Sequence, residues 1–358
     1  MSFKAQDASL RKVASLQVTN IYKLECPQFQ NRFFLLSAPG SRELLSTPEI
    51  VGFPCYTALL EETVAALRYL IPIGQGGDFD ILTILRGGLN YPLEEACARV
   101  GIPVRDMHFL SCERVIEDRR ITGLDIRYEK LRPSRSRNLA IGDIIASGAT
   151  LRICLNYVVD AFHRAGGSLR RVVFFTIGGT RAIEMMEEMS PQIRALFPEF
   201  EGFDCFFYEG VFTVYEGPGV SGINVRDIDF GWNGGIVTPE FRSWVMEHPD
   251  ALLEKCIIYD GGARRYEIPL HLEEVSEYWE GILERADQID PVALIGEKLG
   301  YPLPLDYAGW MRLTRVPEGW KALWEKEQAL LSKASTLDLK ALALRRLHSM
   351  NHLKQLYK

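Results

Sequence analysis

Hydrophobic positions in the middle of the chain form short apolar runs that alternate with stretches at helical spacing. Three of these runs have the length of buried strands, and each leads through a glycine-containing loop into a helical pattern. The strands are predicted at 79–85, 139–141 and 169–177, and the helices at 89–100, 151–165 and 181–189. This alternation predicts an α/β fold with a mostly parallel sheet flanked by helices. We expect the loops around residues 86, 147 and 178 to meet at the carboxyl edge of the sheet, where ligands bind.

The two ends of the chain have weaker patterns. Residues 1–55 are predicted to be irregular, with candidate strands at 16–24 and 32–36, before a helical pattern at 56–70. Further strands are predicted at 104–112, 124–131, 203–208 and 211–215, and helices at 241–248, 252–256, 272–282, 317–331 and in the last segment. Ser335–Asp338 fits a capping box at the start of that last helix. We therefore divide the chain into an N-terminal extension at 1–55, an α/β domain at 56–260 and a mainly helical C-terminal region at 261–358.

Charge and composition argue against several classes of protein. The 358 residues carry a formal net charge of −6, which does not favour binding to nucleic acid or membranes. No apolar run is long enough to span a bilayer, and the N-terminus has no basic region followed by an apolar core, so we expect a cytoplasmic protein. The 7 cysteines are scattered without a Cys-x-x-Cys pair, which favours reduced thiols and argues against a zinc site. A homodimer is the common default.

The stretch 138–150 carries the clearest candidate chemistry. The strand at 139–141 ends at Gly142 and Asp143, and a loop of small residues follows. That loop consists of Ala146, Ser147, Gly148, Ala149 and Thr150. Small side chains let an anion approach the backbone, and the helix that begins here offers N–H groups and the positive end of its dipole. A carboxylate at a phosphate site repels the ligand unless it accepts hydrogen bonds from sugar hydroxyls or helps to hold a metal.

This stretch resembles the 5-phosphoribosyl-1-pyrophosphate (PRPP) loop of type I phosphoribosyltransferases. In that family one or two acidic residues hold the ribose hydroxyls, and the following loop binds the 5′-phosphate. The resemblance implies that Asp143 holds the ribose and that residues 146–150 bind the phosphate. The sequence departs from the family at Gly142, where the first acidic residue is commonly found. Uracil phosphoribosyltransferases also keep one acid of the pair, although a different one. The alternative is a nucleotide-binding or merely structural strand–turn–helix.

A second loop follows the strand at 79–85 and consists of Leu85, Arg86, Gly87 and Gly88. The run 84–89 is similar to the Leu-Arg-Ala-Gly-Leu segment of uracil phosphoribosyltransferases. The resemblance implies that backbone amides of this loop bind pyrophosphate and that Arg86 adds a forked, permanent cation. The alternative is a glycine-rich turn that packs a helix on its strand, with Arg86 as a surface charge.

A predicted hairpin separates the two loops. In the family, a mobile hairpin at this place closes over PRPP and excludes water. Its candidate cations are Arg119, Arg120, Arg127 and Lys130. The alternative for each of them is an ordinary solvated charge.

A glycine-rich stretch at 215–235 resembles, with two extra residues, the segment by which uracil phosphoribosyltransferases cover the base. The resemblance implies a hood that contains Gly217, Pro218 and Gly219, with Asp227 or Asp229 as an acid close to the site. The alternative is an ordinary surface loop. Phe230 and Trp232 are candidates either to stack on a base or to join the core.

The resemblance as a whole implies a type I phosphoribosyltransferase-like sheet with a hood and an added helical C-terminal region. The implied reaction joins PRPP and a nucleobase, with a pyrimidine favoured, to give a nucleoside monophosphate and pyrophosphate. Asp143 and Arg86 are its implied catalytic residues, and Mg²⁺ is held through PRPP rather than by direct protein ligands. Two alternatives stay open. One is a non-catalytic regulator that binds PRPP or a nucleotide, and the other is a different reaction on a ribose 5-phosphate substrate.

Overall fold

A computed structural model describes residues 7–71, 77–85, 87–117, 120–135, 137–214, 217–223, 230–255, 261–300, 306–314 and 320–357. Its strands belong to one sheet. They are β1 (Ser9–Leu16), β2 (Thr19–Glu25), β3 (Arg32–Ser37), β4 (Phe79–Leu85), β5 (Val104–Glu117), β6 (Arg120–Lys130), β7 (Arg137–Gly142), β8 (Leu169–Gly179), β9 (Phe203–Val214) and β10 (Phe230–Val237).

The centre of the sheet is parallel. The strand order is β1-β2-β3-β9-β8-β7-β4-β5-β6, and β10 pairs with β9. Every neighbouring pair from β3 to β5 in this order is parallel, whereas β1–β2, β2–β3, β5–β6 and β9–β10 are antiparallel. The predicted mostly parallel sheet is therefore confirmed.

Helices flank the sheet and also make up the C-terminal region. Along the first two thirds of the chain they are α1 (Pro39–Ser46), α2 (Phe53–Thr57), α3 (Leu60–Leu70), α4 (Leu93–Val100), α5 (Ala149–Arg164) and α6 (Thr180–Leu196). The remaining ones are α7 (Pro239–Glu247), α8 (Pro249–Leu253), α9 (Gly261–Tyr266), α10 (Ile268–Arg285), α11 (Pro291–Leu299), α12 (Tyr307–Thr314), α13 (Lys321–Ala334) and α14 (Leu339–Leu356). The predicted helical C-terminal region is confirmed. Among the described residues, no helix combines the length and the apolar character needed to cross a membrane.

Two hydrophobic clusters lie on opposite faces of the sheet because successive strand residues point to opposite sides. Phe175 joins one cluster and Phe174 the other. The first cluster includes residues of α3, α10 and α14, and its aromatic rings of Phe34, Phe206 and Phe175 stack with centroids 4.9 and 5.3 Å apart. The second cluster is formed against α5 and α6. Both faces of the central strands are thus buried, as continuous apolar runs indicate.

The N-terminal segment differs most from the sequence prediction. Residues 9–37 form three paired strands rather than an irregular extension, and the candidate strand at 16–24 is interrupted by a turn at Gln17, which has φ 55°. The predicted helix at 89–100 begins only at Leu93, after a short 3-10 helix at Gly87–Asn90. Pro92 explains this late start, because proline disfavours helical backbone at the residue before it.

The start of the last helix also differs from the prediction. Asp338 is the N-cap of α14, and its side chain accepts a hydrogen bond from the Ala341 amide at 2.9 Å. Ser335 instead ends α13. The predicted capping box was therefore wrong, because the cap is Asp338 and not Ser335. Aspartate is as good an N-cap as serine.

Candidate functional site

The loops after β4 and β7 converge with the C-terminal end of β8 because these three strands are parallel neighbours in the sheet. Ile145 forms an isolated bridge with Gly178, and the Gly179 amide donates to the Ile145 carbonyl oxygen at 2.9 Å. On the other side, a Cβ atom built on Gly87 would lie 2.1 Å from Asp143 Oδ1. The loop after β7 therefore touches the loop after β4 on one side and the end of β8 on the other. The carboxyl ends of the three strands thus meet at one edge, here called the rim. The loop predicted around residue 178 is not formed, because Gly178 and Gly179 are the last residues of β8, where they pair with Val211 and Phe212 of β9, and α6 begins at Thr180.

Asp143 lies at the centre of the rim and is half-buried. Its amide donates to the Phe175 carbonyl oxygen at 3.1 Å, and its Oδ1 accepts from the Ile144 amide at 2.8 Å. The carboxylate faces Gly87, where any larger residue would overlap with it. The position of Asp143 thus places a negative charge directly against the loop after β4.

The small-residue loop at 146–150 leads into the 16-residue helix α5. Gly148 is the N-cap with φ +74°, a left-handed conformation that glycine adopts without strain. Ser147 is exposed, and its Oγ accepts from the Ala149 amide at 3.5 Å. A Cβ atom on Gly148 would lie 3.5 Å from Met185 Sδ, so the loop rests on α6. The dipole of α5 favours an anion beside this loop, and its small side chains add little bulk around the backbone.

Tyr91 explains the departure of the sequence at Gly142. A Cβ atom on Gly142 would lie 2.4 Å from Tyr91 Cβ, which leaves no space for an acidic side chain. The Tyr91 ring is buried, and its hydroxyl oxygen accepts a hydrogen bond from the Ile177 amide at 3.2 Å. Burial raises the pKa of Tyr91 well above its usual value, and the Asp143 carboxylate raises it further. Tyr91 was not singled out from the sequence, because nothing local to it shows which residue it faces.

A small cavity lies between the rim and a cover formed by α1, α2 and α9. Its walls include Leu44, Cys55, Asn90, Tyr91, Ile144 and Ile177. It has a volume of about 20 Å³, which is room for about one water molecule. Asn90 Nδ2 donates to the Gly87 carbonyl oxygen at 3.2 Å, whereas its buried Oδ1 has no partner in the described part of the chain. An acceptor that faces a cavity favours an N–H or O–H donor there.

The hairpin of β5 and β6 extends beyond the rim. Leu85, the last residue of β4, pairs with Ser111, so residues 112–117 of β5 continue past it. Arg127 forms ion pairs with Glu113 at 2.8 Å and Asp125 at 3.1 Å. Lys130 Nζ lies 5.5 Å from the centroid of the Phe109 ring. Arg120 is in β6, but its side chain is outside the description, and Arg86 and Arg119 lie outside the described residues altogether.

The described part of the predicted hood contacts the C-terminal region. The Val220 amide donates to Glu297 Oε2 at 2.5 Å, and a Cβ atom on Gly219 would overlap with the same carboxylate. Gly217 and Pro218 are exposed, whereas Asp227 and Asp229 lie outside the described residues. This segment therefore rests on α11.

Phe230 and Trp232 lie inside the predicted hood at 215–235, but residues from Phe230 onward form β10, paired with β9, rather than a loop. Both side chains pack into the core. Phe230 is buried against Phe212, with ring centroids 5.8 Å apart. Trp232 is half-buried against Phe241 at 5.6 Å and beneath the Arg242 guanidinium at 4.8 Å. Of the two roles left open by the sequence, core packing is the one observed.

Comparisons with known proteins give only distant similarities. Neither a family model nor a curated protein matches the chain. A solved structure of a protein from Aquifex aeolicus is 18% identical with a TM-score of 0.34, and the alignment covers 49% of this chain and 87% of that one. A hypoxanthine phosphoribosyltransferase from Staphylococcus aureus is 13% identical with a TM-score of 0.29, covering 44% and 76%. A purine phosphoribosyltransferase from Pyrococcus horikoshii is 14% identical with a TM-score of 0.23, covering 34% and 83%. Similarity at this level does not assign the chain to a family.

Proposed function

We propose that this chain is a phosphoribosyltransferase that uses PRPP and a nucleobase to form a nucleoside monophosphate and pyrophosphate. The observation that carries the proposal is the contact between the loops after β7 and β4, where Asp143, just before the small-residue loop, lies against Gly87. A sugar with a phosphate at each end needs two anion sites with a hydroxyl acceptor between them. The rim offers that order of groups along adjacent parallel strands.

In the proposed reaction, a ring nitrogen of the base displaces pyrophosphate from C1′ of the ribose. Residues 146–150 hold the 5′-phosphate, and the loop 85–88, with Arg86, holds the pyrophosphate. Asp143 accepts hydrogen bonds from the ribose hydroxyls and places a negative charge near the cation that develops at C1′. Catalysis then depends on positioning and electrostatics rather than on a covalent nucleophile.

Magnesium fits this arrangement as a substrate-bound ion. Mg²⁺ keeps several waters and binds through one or two carboxylates together with substrate phosphates. Asp143 supplies one carboxylate at the rim, and Tyr91 occupies the space that a second one at position 142 would need. The part of the chain that the structure describes contains no group of three or more metal-ligating residues. The ion would neutralise charge on the leaving pyrophosphate.

The base is proposed to be a pyrimidine, which rests on the similarity of residues 84–89 and 215–235 to uracil phosphoribosyltransferases. The test is release of pyrophosphate from PRPP and Mg²⁺ with a panel of free pyrimidines and purines. We expect turnover with one pyrimidine and at least a hundredfold loss of kcat in Asp143→Asn, by the usual cost of removing one electrostatic group. Tight PRPP binding without turnover on any base would instead identify a non-catalytic regulator. Absence of both turnover and PRPP binding would reject the proposal.

Cytoplasmic location and a homodimer stay part of the proposal. Light scattering of the purified chain measures the oligomeric state directly. A monomeric mass at micromolar concentration would contradict the dimer without affecting the proposed reaction.

A further inference from the structure

The C-terminal region reaches the candidate pyrophosphate loop through α9. Arg265 Nη1 donates a hydrogen bond to the Leu89 carbonyl oxygen, in the 3-10 helix that contains Gly87 and Gly88. The same guanidinium lies over the ring of Tyr56 at 4.3 Å and over the ring of Tyr266 at 4.9 Å. Because a planar cation that stacks on aromatic rings has little rotational freedom, the direction of its donors is fixed.

Helix α9 is itself firmly held. The neighbouring Arg264 is buried, and its guanidinium donates to the carbonyl oxygens of Leu44 at 2.9 Å, Thr47 at 2.7 Å and Ile50 at 3.1 Å. The Gly52 amide donates back to the Arg264 carbonyl oxygen at 2.9 Å. These bonds tie α9 to α1 and to residues 47–52, so the backbone that carries Arg265 is held in place beside the rim.

Arg265 completes a row of restrained carbonyl groups in the loop. The Gly87 carbonyl oxygen accepts from Asn90 Nδ2, that of Gly88 accepts from the Tyr91 amide at 3.4 Å, and that of Leu89 accepts from Arg265. In a trans peptide the N–H group points opposite to the C=O group. Holding the carbonyl groups of residues 87, 88 and 89 therefore fixes the direction of the N–H groups of residues 88, 89 and 90.

We propose that Arg265 is a positioning residue for pyrophosphate, acting through the backbone of residues 87–90. It fixes the orientation of the loop amides and adds a positive charge beside the loop, so the C-terminal region contributes to binding of the leaving group. This role rests on the proposed function, because it presupposes that the loop binds pyrophosphate. Through Arg265, the C-terminal region would help to orient the loop that binds the leaving pyrophosphate.

The experiment compares two ligands that use different loops. Calorimetry measures the Kd of inorganic pyrophosphate and of ribose 5-phosphate, both with Mg²⁺, for the full-length wild type, Arg265→Gln and Arg265→Lys. Arg345→Gln is the matched control. Arg345 lies on α14, and its exposed ion pair is with Asp250 rather than with the loop. A hydrogen bond from a charged group is worth about tenfold in an equilibrium constant, which sets the scale for losing the bond that orients the loop. We expect Arg265→Gln to weaken pyrophosphate about tenfold and ribose 5-phosphate less than twofold, with Arg265→Lys intermediate and Arg345→Gln unchanged.

The other outcomes distinguish failure of the role of Arg265 from failure of the proposed function. If the wild type binds pyrophosphate and both Arg265 variants bind it equally well, Arg265 is not a positioning residue and the proposed function stands. If Arg265→Gln weakens both ligands alike, or only lowers the melting temperature, its role is structural and the inference is overturned. If the wild type binds neither ligand, the proposed function fails and this inference fails with it. Arg265→Lys keeps the test decisive if Arg265→Gln does not fold.

Discussion

At the scale of single residues, Gly142 and Tyr91 form one structural unit. Only glycine fits at position 142, because the Tyr91 side chain begins where a Cβ atom would stand. The Tyr91 hydroxyl in turn joins the end of β8 through the Ile177 amide. The absence of a first acidic residue is therefore accompanied by a buried aromatic ring, and restoring the acid alone is sterically blocked. In the reaction proposed above, Asp143 would therefore hold the ribose without a carboxylate at position 142.

This unit predicts a coupling between two substitutions. Gly142→Ala should lower the free energy of unfolding by about 1–3 kcal/mol, since a side chain forced into a packed site displaces its neighbours. Tyr91→Gly removes the Cβ atom that causes the overlap, so the same substitution should cost much less in that background. Urea unfolding of the four proteins of this cycle measures the difference. Equal costs of Gly142→Ala in both backgrounds would show that Tyr91 is not the obstacle.

Some residues of the candidate site could not be predicted from the sequence, because they meet the site only in the folded chain. Asp143 and the loop 146–150 were singled out because strand, loop and helix are adjacent in the chain. Tyr91 faces position 142 and Arg265 contacts Leu89 only after distant segments have packed together. Periodicity and local motifs contain no information on such pairs. The site predicted from the sequence is therefore a set of loops without the residues that hold them.

At the scale of elements, a buried carboxylate joins three of them. Glu209, a non-glycine residue with φ 59° in β9, accepts from the Ala38 amide at the start of α1 and from Thr238 Oγ1 at the start of α7. Arg42 Nη1 lies 3.5 Å from its Oε1. Burial raises the pKa of Glu209 to about 7, and the arginine and the hydroxyl donors only partly offset this.

The raised pKa predicts a dependence of stability on pH. A carboxyl group whose folded pKa is raised stabilises the fold below its unfolded pKa, and this contribution is lost as the pH rises through about 7. Relative to Glu209→Gln, the wild type should therefore lose about 3 kcal/mol between pH 5 and pH 8, by the linkage value of one pKa unit. Denaturant unfolding of both proteins at several pH values measures this. Glu61→Gln, on the exposed surface, is the control, and a parallel pH profile for wild type and Glu209→Gln would refute the prediction.

Elements differ in how well the sequence predicts them. β7, its loop and α5 follow from apolar spacing within residues 138–165. β1 was missed because it is an edge strand in which a single residue, Leu10, is buried, so it lacks the alternation of a half-buried strand. Its place in the sheet depends on β2 and β3, and β3 in turn pairs with β9, which lies far along the chain. Pairing at such a distance cannot be derived from a local pattern.

At the scale of the whole molecule, one arginine links the N-terminal segment to the C-terminal region. Arg346 of α14 forms ion pairs with Glu49 at 2.7 Å and with Glu254 at 2.6 Å. Glu254 is buried, also accepts from Trp279 Nε1 at 2.6 Å, and has its pKa raised to about 7 by burial. The boundaries at 55 and 260 stay predictions, but contacts such as these tie the proposed regions together.

Adjacent arginines allow a matched test of this link. Arg346→Gln leaves Glu254 buried without its cation, and breaking a buried pair costs about 3–5 kcal/mol. Arg345→Gln breaks only an exposed pair, which is worth about 0–1 kcal/mol. Thermal and urea unfolding at pH 8 should separate the two variants clearly. The gap should narrow at pH 5, where Glu254 takes up a proton, and equal stabilities at pH 8 would contradict the role of Arg346.

The pairing of β3 with β9 also has a consequence for biosynthesis. Phe33 in β3 faces Cys205 across the parallel ladder, and both are fully buried. A nascent chain on the ribosome exposes the open edge of β3, with its row of apolar side chains, until the ninth strand has been translated. Pairing between strands so far apart in the sequence slows folding, and the unpaired strand edge is prone to aggregation until it forms. Chains terminated before residue 203, which lack β9, should therefore aggregate or need chaperones to stay in solution.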